Sequence, residues 1–403
     1  MSPHAAKSKS ELLIPLTRPE VGLQELRAVA RVLRSRWLTQ GPEVEALEHE
    51  FACYVGASGS CAVSSCTAAL HLALVALGVG PGDEVIVPSH TFIATVNAIL
   101  YCGAKPRFAD IAPETFCIDP GAIAAQITRR TACIIVVHQM GIPCDLRPIV
   151  ELASRHQLPV VEDAACALGS EYSWNGYWEK IGKPHGDIAC FSFHPRKVVS
   201  CGEGGVITCR DPQLLNKIRR LRQHGLVSLP KPNTSSPCYN HAKVRELGYN
   251  YRLSDIAAAI ARSQLSRLPQ FLQRRRELAA RYHNALEAIP GCRVLHLPYS
   301  ARPNYQSYPL RITESSPMSR DQLILSLAEA GIESKPGIMN VHQVATYLAQ
   351  EETHLPHSEA ACNHTILLPL YPSMSYSQQR RVIRHLTQLL TETAHAQVNI
   401  NRA

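Results

Sequence analysis

The stretch Asp187–Thr208 reads DIACFSFHPRKVVSCGEGGVIT. Its first part, Ile188 to Phe193, is apolar and aromatic, a composition that predicts a strand. Gly202, Gly204 and Gly205 introduce a second short strand at Val206–Thr208. Lys197 lies between the two, flanked by His194, Pro195 and Arg196 and by Val198 and Val199. A lysine in a partly apolar loop can have its ammonium pKa lowered, which makes it a candidate imine-forming amine. Taken alone it reads first as a solvated loop lysine. Its neighbours in the fold have to decide.

Upstream of this stretch, strand-like and helical segments alternate. EVIVPS (84–89), KPRFADI (105–111), ACIIVVH (132–138) and LPVVED (158–163) are nearly continuous apolar runs, separated by helical stretches at Thr95–Leu100, Pro120–Ile127 and Leu146–His156. Such runs predict a mostly parallel sheet covered on both faces, with ligands gathering at the carboxyl ends of the strands. Asp163 and His138 sit at such ends. Two helical segments precede the alternation, the second over Val44–Val55. Downstream, helices are expected at 214–225, from about Ser254, and over Pro269–Ala288, with a polar loop at Val227–Lys243. Shorter strands (CRVLHL, SYPLRIT) and helices at 320–330 and 376–392 follow. The change of pattern predicts a large domain over 12–265, a smaller C-terminal α+β domain over 266–395, and flexible tails at 1–11 and 396–403.

A short strand, Cys61–Ser64, runs straight into a helix rich in alanine and leucine that Gly78 and Gly80 stop. Ser65, Cys66 and Thr67 therefore occupy a strand-to-helix junction, where free amides and the helix dipole attract an anion. The Thr67 hydroxyl can either cap the helix or donate to a phosphate. Together, this anion site, Asp163 at a strand end and Lys197 supply what pyridoxal phosphate (PLP) requires: a phosphate cup, a carboxylate for the ring nitrogen and an imine-forming amine. Phe92, just after EVIVPS, is placed to lie against the ring, or else to fill the core.

Composition narrows the alternatives. The chain has 403 residues, 45% of them hydrophobic and 18% charged, as in a soluble globular enzyme. Its 14 cysteines are scattered without a CxxC pair, which speaks for reduced, buried thiols and a cytoplasmic setting. The net charge of +8 is concentrated in helical arginine clusters and forms no basic–aromatic stripe, so nucleic acid is not an expected partner. No apolar run reaches the ~20 residues of a membrane span. GVGPGDE (78–84) follows a helix and precedes a strand, the reverse of a dinucleotide-binding fingerprint. His354 and His357 lie in a loop with no ligand set expected around them, so no metal site is predicted.

FSFHPRKVVSCGEGG, VVEDAACALGS, SSCTAALHLALVALGVGPGDEVIVPSHTF, LRQHG, LGYNYRLSDIAAA and the early SRWLTQGP occur here in one order. Together they resemble the DegT/StrS family of PLP-dependent sugar aminotransferases, over residues 13 to 390. The resemblance implies an aspartate-aminotransferase-like α/β fold (PLP fold type I) that forms a cytoplasmic homodimer with shared active sites. Carried over by position, Lys197 takes the cofactor covalently, Asp163 pairs with its ring nitrogen and Phe92 stacks on the ring. Cys66 (through its backbone), Thr67 and Ser192 hold the phosphate, with Asn250 reaching in from the other subunit. His194 lines the site, and Arg252 and His342 face the substrate.

The implied reaction moves an amino group, by way of pyridoxamine phosphate, from a donor such as glutamate to a keto sugar carried on a nucleotide diphosphate. A keto-cyclitol acceptor and a non-catalytic regulator on the same scaffold are the alternatives. Three departures stand out. Cys166 occupies a position that is Gln or His in many members, near the cofactor's phenolic oxygen. The segment 173–186 is longer than usual, and the loop 335–347 keeps His342 but lacks the upstream tyrosine.

Overall fold

The computed structural model describes residues 13–227, 243–345 and 353–400, with side chains through residue 391. The loop expected at 227–243 falls, apart from its end residues, outside the described residues, as do residues 1–11 and 401–403.

Helices α1 (Leu23–Ser35) and α2 (Pro42–Val55) precede strand β1 (Ser60–Val63), which leads into α3 (Cys66–Leu77). Then β2 (Glu84–Pro88), α4 (Ile93–Tyr101), β3 (Lys105–Ala109), α5 (Pro120–Gln126), β4 (Thr131–Val137), α6 (Leu146–Arg155) and β5 (Val160–Asp163) alternate as the apolar runs predicted. Their ends follow local chemistry. Ser65 caps α3 by accepting from the Ala68 amide, and Asp119 caps α5 ahead of Pro120. Gly78, with φ of 87°, terminates α3 in a left-handed conformation that favours glycine.

The segment 173–186, read only as longer than usual, supplies the turn and second strand of an antiparallel hairpin, β6 (Glu171–Trp174) with β7 (Tyr177–Lys180). Strand β8 (Ile188–Ser192) and strand β9 (Gly205–Cys209) bracket the Lys197 loop, and α7 (Pro212–Arg222) follows. The seven-stranded sheet has the order β1-β9-β8-β5-β4-β2-β3, parallel from β8 to β3, with β9 alone running against the rest. Both faces are buried. Val63, Val85, Val161, Ile188 and Ile207 point toward α3, α4 and α7, while Ala62, Ile134, Val136, Phe191 and Val206 point to the other side. Each such Val, Ile or Phe contributes about 1.5–3 kcal/mol relative to exposure, so the sheet is stabilised from both faces.

Helix α8 (Asp255–Leu286) is a single 32-residue helix. Two helices meeting at Pro269 were expected. Pro269 instead sits inside one, tolerated because Leu268, Phe271 and Leu272 are anchored in the large core on either side of it. Farther along the same helix, Leu278, Ala279, Tyr282 and Leu286 belong to a second core. The expected division at 265/266 therefore falls inside one continuous helix.

CRVLHL pairs only over β10 (Cys292–Arg293), and a short β11 (Ala301–Arg302) joins the β6–β7 hairpin. The second core is built on β12 (Tyr308–Ile312), β13 (Lys335–Pro336) and β14 (Thr365–Leu368), an antiparallel sheet ordered β10-β12-β14-β13. Helices α9 (Arg320–Glu329), α10 (Val341–Val344), α11 (Pro356–His364) and α12 (Tyr376–Ile400) surround it, the last running past residue 395. The chain's beginning returns here. Ile14 pairs with Ile332 and is buried among these residues, and the Leu16 amide donates to Glu333 at 3.0 Å.

Candidate active site

The strand registers place the candidate residues along one edge of the large sheet. Val63, Gly205 and Ser192 are consecutive partners across β1, β9 and β8, and Asp163 is the partner of Cys190 on β8. The edge is tightly built. A Cβ on Gly205 would lie 2.7 Å from the Phe191 carbonyl oxygen and 2.8 Å from both the carbonyl carbon and oxygen of Ser65, so only glycine lets β9 pass the start of α3. At that start the Ser65 side chain satisfies the Ala68 amide at 3.1 Å, and the amides of Cys66 and Thr67 have no partner among the described residues. The cap is therefore Ser65. The capping reading of Thr67 is thereby excluded.

Asp163 is buried at the end of β5. Its Oδ2 accepts from Thr95 Oγ1 at 2.8 Å and its Oδ1 from the Ala165 amide at 3.1 Å. Burial pushes the Asp163 carboxyl above the ordinary carboxylate range, against these two donors and the Lys197 cation. Thr95 and Thr91 share a further hydrogen bond of 2.9 Å. Thr95's single O–H is committed to Asp163, so Thr91 is the donor of that bond. Phe92 caps the N-terminus of α4 one turn before Thr95 and is 62% exposed. That exposure rules out the core reading.

After β8 the chain makes a compact excursion from residue 193 to 204. It is closed by hydrogen bonds from the Phe193 amide to the Gly204 carbonyl and from the Cys201 amide to the Phe193 carbonyl. The Lys197 amide donates to the His194 carbonyl, while Nζ donates to Cys166 Sγ at 3.1 Å. A lowered ammonium pKa was expected for Lys197, and the structure corrects this. Burial works in that direction, but Cys166, Cys66 and Asp163 outweigh it and hold the ammonium above the ordinary lysine value. Burial, reinforced by Asp163, drives the Cys66 thiol well above its usual range.

His194 Nδ1 accepts from the Arg196 amide at 3.2 Å, which places the ring proton on Nε2. Burial lowers this imidazole, and Lys197 and Arg196 add to the effect against Glu203. The Ser192 hydroxyl accepts from the His194 amide at 3.3 Å.

The remaining candidates lie around the same edge. Arg252 pairs through its backbone with Val63, and Asn250, which is exposed, pairs with Gln223. His342 Nδ1 is 2.6 Å from Ser89 Oγ at the end of β2, and its Nε2 is 3.5 Å from Glu359. Glu359 also lies 3.3 Å from His354, so the carboxylate that the sequence did not place beside that histidine is present.

The sequence reading missed the contacts of four residues. Thr95 showed only as a hydroxyl in a helical stretch. Asn304 is fully buried, and its Nδ2 donates to the carbonyls of Cys166 at 2.8 Å and Leu168 at 2.9 Å. Gln306 Nε2 donates to the Arg196 carbonyl at 2.8 Å. His138 was noted as a strand end, but its partner was not. It sits 3.0 Å from Glu162 on the face of the sheet opposite Asp163, and both are fully buried. Nothing in their own sequence context signals these long-range pairings.

The donor set fits PLP. Asp163 keeps free lone pairs beyond the two hydrogen bonds that orient it, unpartnered first-turn amides stand at the start of α3, and an amine lies beside them. A model of the DegT/DnrJ/EryC1/StrS aminotransferase family matches residues 19–387. The chain belongs to this family. Among solved structures this DegT/DnrJ/EryC1/StrS aminotransferase is similar to the aminotransferase TlmJ from Streptoalloteichus hindustanus, with 34% identity, 95% of this chain and 100% of that chain covered, and a TM-score of 0.87. It is also similar to the PLP form of Spr1654 from Streptococcus pneumoniae, with 28% identity, 94% and 99% coverage and a TM-score of 0.86. Sugar aminotransferase CalS13 from Micromonospora echinospora shares 28% identity over 93% of this chain and 100% of that chain, with a TM-score of 0.84. The fold is thus that of the fold-type I aminotransferases, and the protein is a PLP-dependent aminotransferase.

Proposed function

We propose that this aminotransferase moves an amino group from glutamate to a keto sugar carried on a nucleotide diphosphate, in amino-sugar biosynthesis. The observation that supports it most is the gathering of Lys197, Asp163 and the open amides of Cys66 and Thr67 on one sheet edge, in a chain of this family. CalS13, matched over nearly its whole length, is a sugar aminotransferase. PLP, when bound, supplies an electron sink for the carbanion formed at the donor's α-carbon.

In this reading Asp163, oriented by Thr95 and Ala165, holds the ring-nitrogen proton. The Cys66 and Thr67 amides and the Ser192 hydroxyl bind the phosphate, and Phe92 covers the ring. Lys197 would hold the cofactor at Nζ, and its amine, when free, would serve as the proton carrier in the cleft, base and then acid. His194, with its proton on Nε2, lines the cleft, while Arg252 and His342 face the acceptor.

The reading includes a cytoplasmic homodimer in which Asn250 of the partner subunit completes each phosphate site. Leu247 beside Asn250 is 87% exposed, and Leu23, Leu26, Leu33, Trp37 and Leu38 also leave apolar surface in solvent. Such a surface fits burial against a second copy. No described helix is long and apolar enough to cross a membrane.

The test converts the protein with glutamate and then offers nucleotide-linked keto sugars, reading the return of the visible band of the lysine-bound cofactor. Recovery with a keto-cyclitol alone would replace the sugar reading. Lys197→Ala is expected to lose both the band and turnover. A variant that kept them would overturn the assignment of the lysine.

A further inference from the structure

One contact in the cleft serves none of these roles. Lys197 Nζ points at Cys166 Sγ from 3.1 Å. The backbone on both sides of the pair is fixed. Asn304 holds the Cys166 carbonyl at 2.8 Å, and Gln306, two residues on, holds the carbonyl of Arg196, next to Lys197, at 2.8 Å. Cys166 and Lys197 are both half-buried, so a molecule as small as hydrogen peroxide can reach them from the cleft. The neighbouring Cys66 is a poorer target, because burial and Asp163 keep it a thiol. Cys53 is exposed but has His49 rather than an amine beside it, at 3.8 Å.

We propose that Cys166 and Lys197 are a covalent modification site at which a peroxide joins sulfur to nitrogen whenever the lysine amine is free. In the first step the peroxide O–O bond breaks and an S–O bond forms. Sulfur loses two electrons, peroxide gains them, and Cys166 becomes a sulfenic acid with release of one water. Conversion of Cys166 to a neutral sulfenic acid removes the strongest influence that holds the Lys197 ammonium protonated, so in the second step Nζ gives one proton to solvent and the resulting amine attacks that sulfur. The S–N bond forms, the S–O bond breaks, and the departing hydroxide takes the proton lost by nitrogen as a second water. No further oxidant is needed. A thiol reductant reverses the link by attacking sulfur and releasing the amine; a second thiol then frees Cys166.

The link closes the cofactor's own attachment point, so the cofactor protects against it. This protection rests on the proposed role of Lys197, whereas the cross-link itself does not. An enzyme stripped of cofactor would therefore be held in a recoverable form under oxidation, and Cys166, where many relatives carry Gln or His, is what makes this possible.

The experiment exposes cofactor-stripped and PLP-loaded protein to hydrogen peroxide, blocks remaining thiols, digests, and maps peptides by mass spectrometry with and without dithiothreitol. The expected product is a joined pair of peptides containing Cys166 and Lys197, lighter by two hydrogens than their sum. It should be abundant in stripped protein, lost in loaded protein, and lost after dithiothreitol. Cys166→Ser and Lys197→Ala should each abolish it, and the latter should leave Cys166 as its oxygen acids. Oxygen acids on Cys166 in the unsubstituted stripped protein without a joined pair, or a disulfide to Cys66 in its place, would overturn the proposal. Equal cross-linking in stripped and loaded protein would uphold the link and refute the cofactor's place on Lys197.

Discussion

Thr95→Val removes the side-chain donor to a buried carboxylate while keeping nearly the same shape. Asp163 Oδ2 loses its 2.8 Å hydrogen bond, and the buried Thr91 hydroxyl loses the oxygen it donates to. A hydrogen bond to a charged group is worth about 1.5–3 kcal/mol and one to a neutral group about 1 kcal/mol, so the folded-state pKa of Asp163, already raised by burial, should climb further. The sign follows from linkage. An acid whose folded pKa exceeds its unfolded value binds more protons when folded, so stability falls as pH rises through the window between the two and is level above it.

Thr95→Val widens that window. Its destabilisation of the cofactor-free protein should be about 1 kcal/mol where Asp163 is protonated, and about 1.5–3 kcal/mol where it is ionised. The acid limb of the PLP affinity profile should move up by about 0.5–1.5 pH units, the difference between those two costs at about 1.36 kcal/mol per unit, because binding draws on the ionised carboxylate. Urea unfolding at two pH values and equilibrium PLP titration across pH measure both effects. Thr95→Ser, which restores the donor, should return the limb to its original position. A Thr95→Val protein with an unshifted acid limb would refute the role given to this hydroxyl.

Three further outcomes are expected. His138→Ala leaves Glu162 buried without its partner and should cost about 3–5 kcal/mol in urea unfolding. Glu162 is held below its ordinary value against the effect of burial, chiefly by His138, so its stabilisation is present above that value and lost as pH falls through the folded one. In His138→Ala that acid loss should begin at higher pH. Asn304→Ala strips partners from the carbonyls of Cys166 and Leu168 and from the Gln306 amide; a cost of about 3 kcal/mol is expected, with weaker retention of PLP on dialysis. Gly205→Ala must push Ser65 away from contacts of 2.8 Å, so half-saturation by PLP should rise about tenfold, the factor that 1.4 kcal/mol represents, while the far-UV spectrum stays unchanged.

The order of elements around the seven-stranded sheet was legible because parallel strands buried on both faces leave continuous apolar runs, and Ser254 stands where α8 begins, its side chain accepting from the Ala257 amide. Lys197, Asp163 and the start of α3 could be grouped because each sits at a strand exit, where such a sheet collects its ligands. The electrostatics were not legible. A lysine flanked by valines looks desolvated, yet across the cleft Cys166, Cys66 and Asp163 reverse the sign of the shift. Thr95, Asn304 and Gln306 act through contacts with residues 68, 138 and 110 positions away, and no local pattern records that. Pro269 misled the reading of α8, because helix propensity is a local preference that packing into two cores overrides.

The return of Ile14 to the small core sets a timetable for synthesis. The Leu16 amide waits for Glu333, 317 positions later, and the Leu16 carbonyl waits for the Leu370 amide. At a translation rate of about 5–20 residues per second, the N-terminal segment emerges roughly 15–65 s before the first of these partners exists. All seven strands of the large sheet are complete by Cys209 and can pair first. The first described residues therefore dock late, and a nascent chain exposes an apolar Ile-Pro-Leu segment to chaperones until those partners are made.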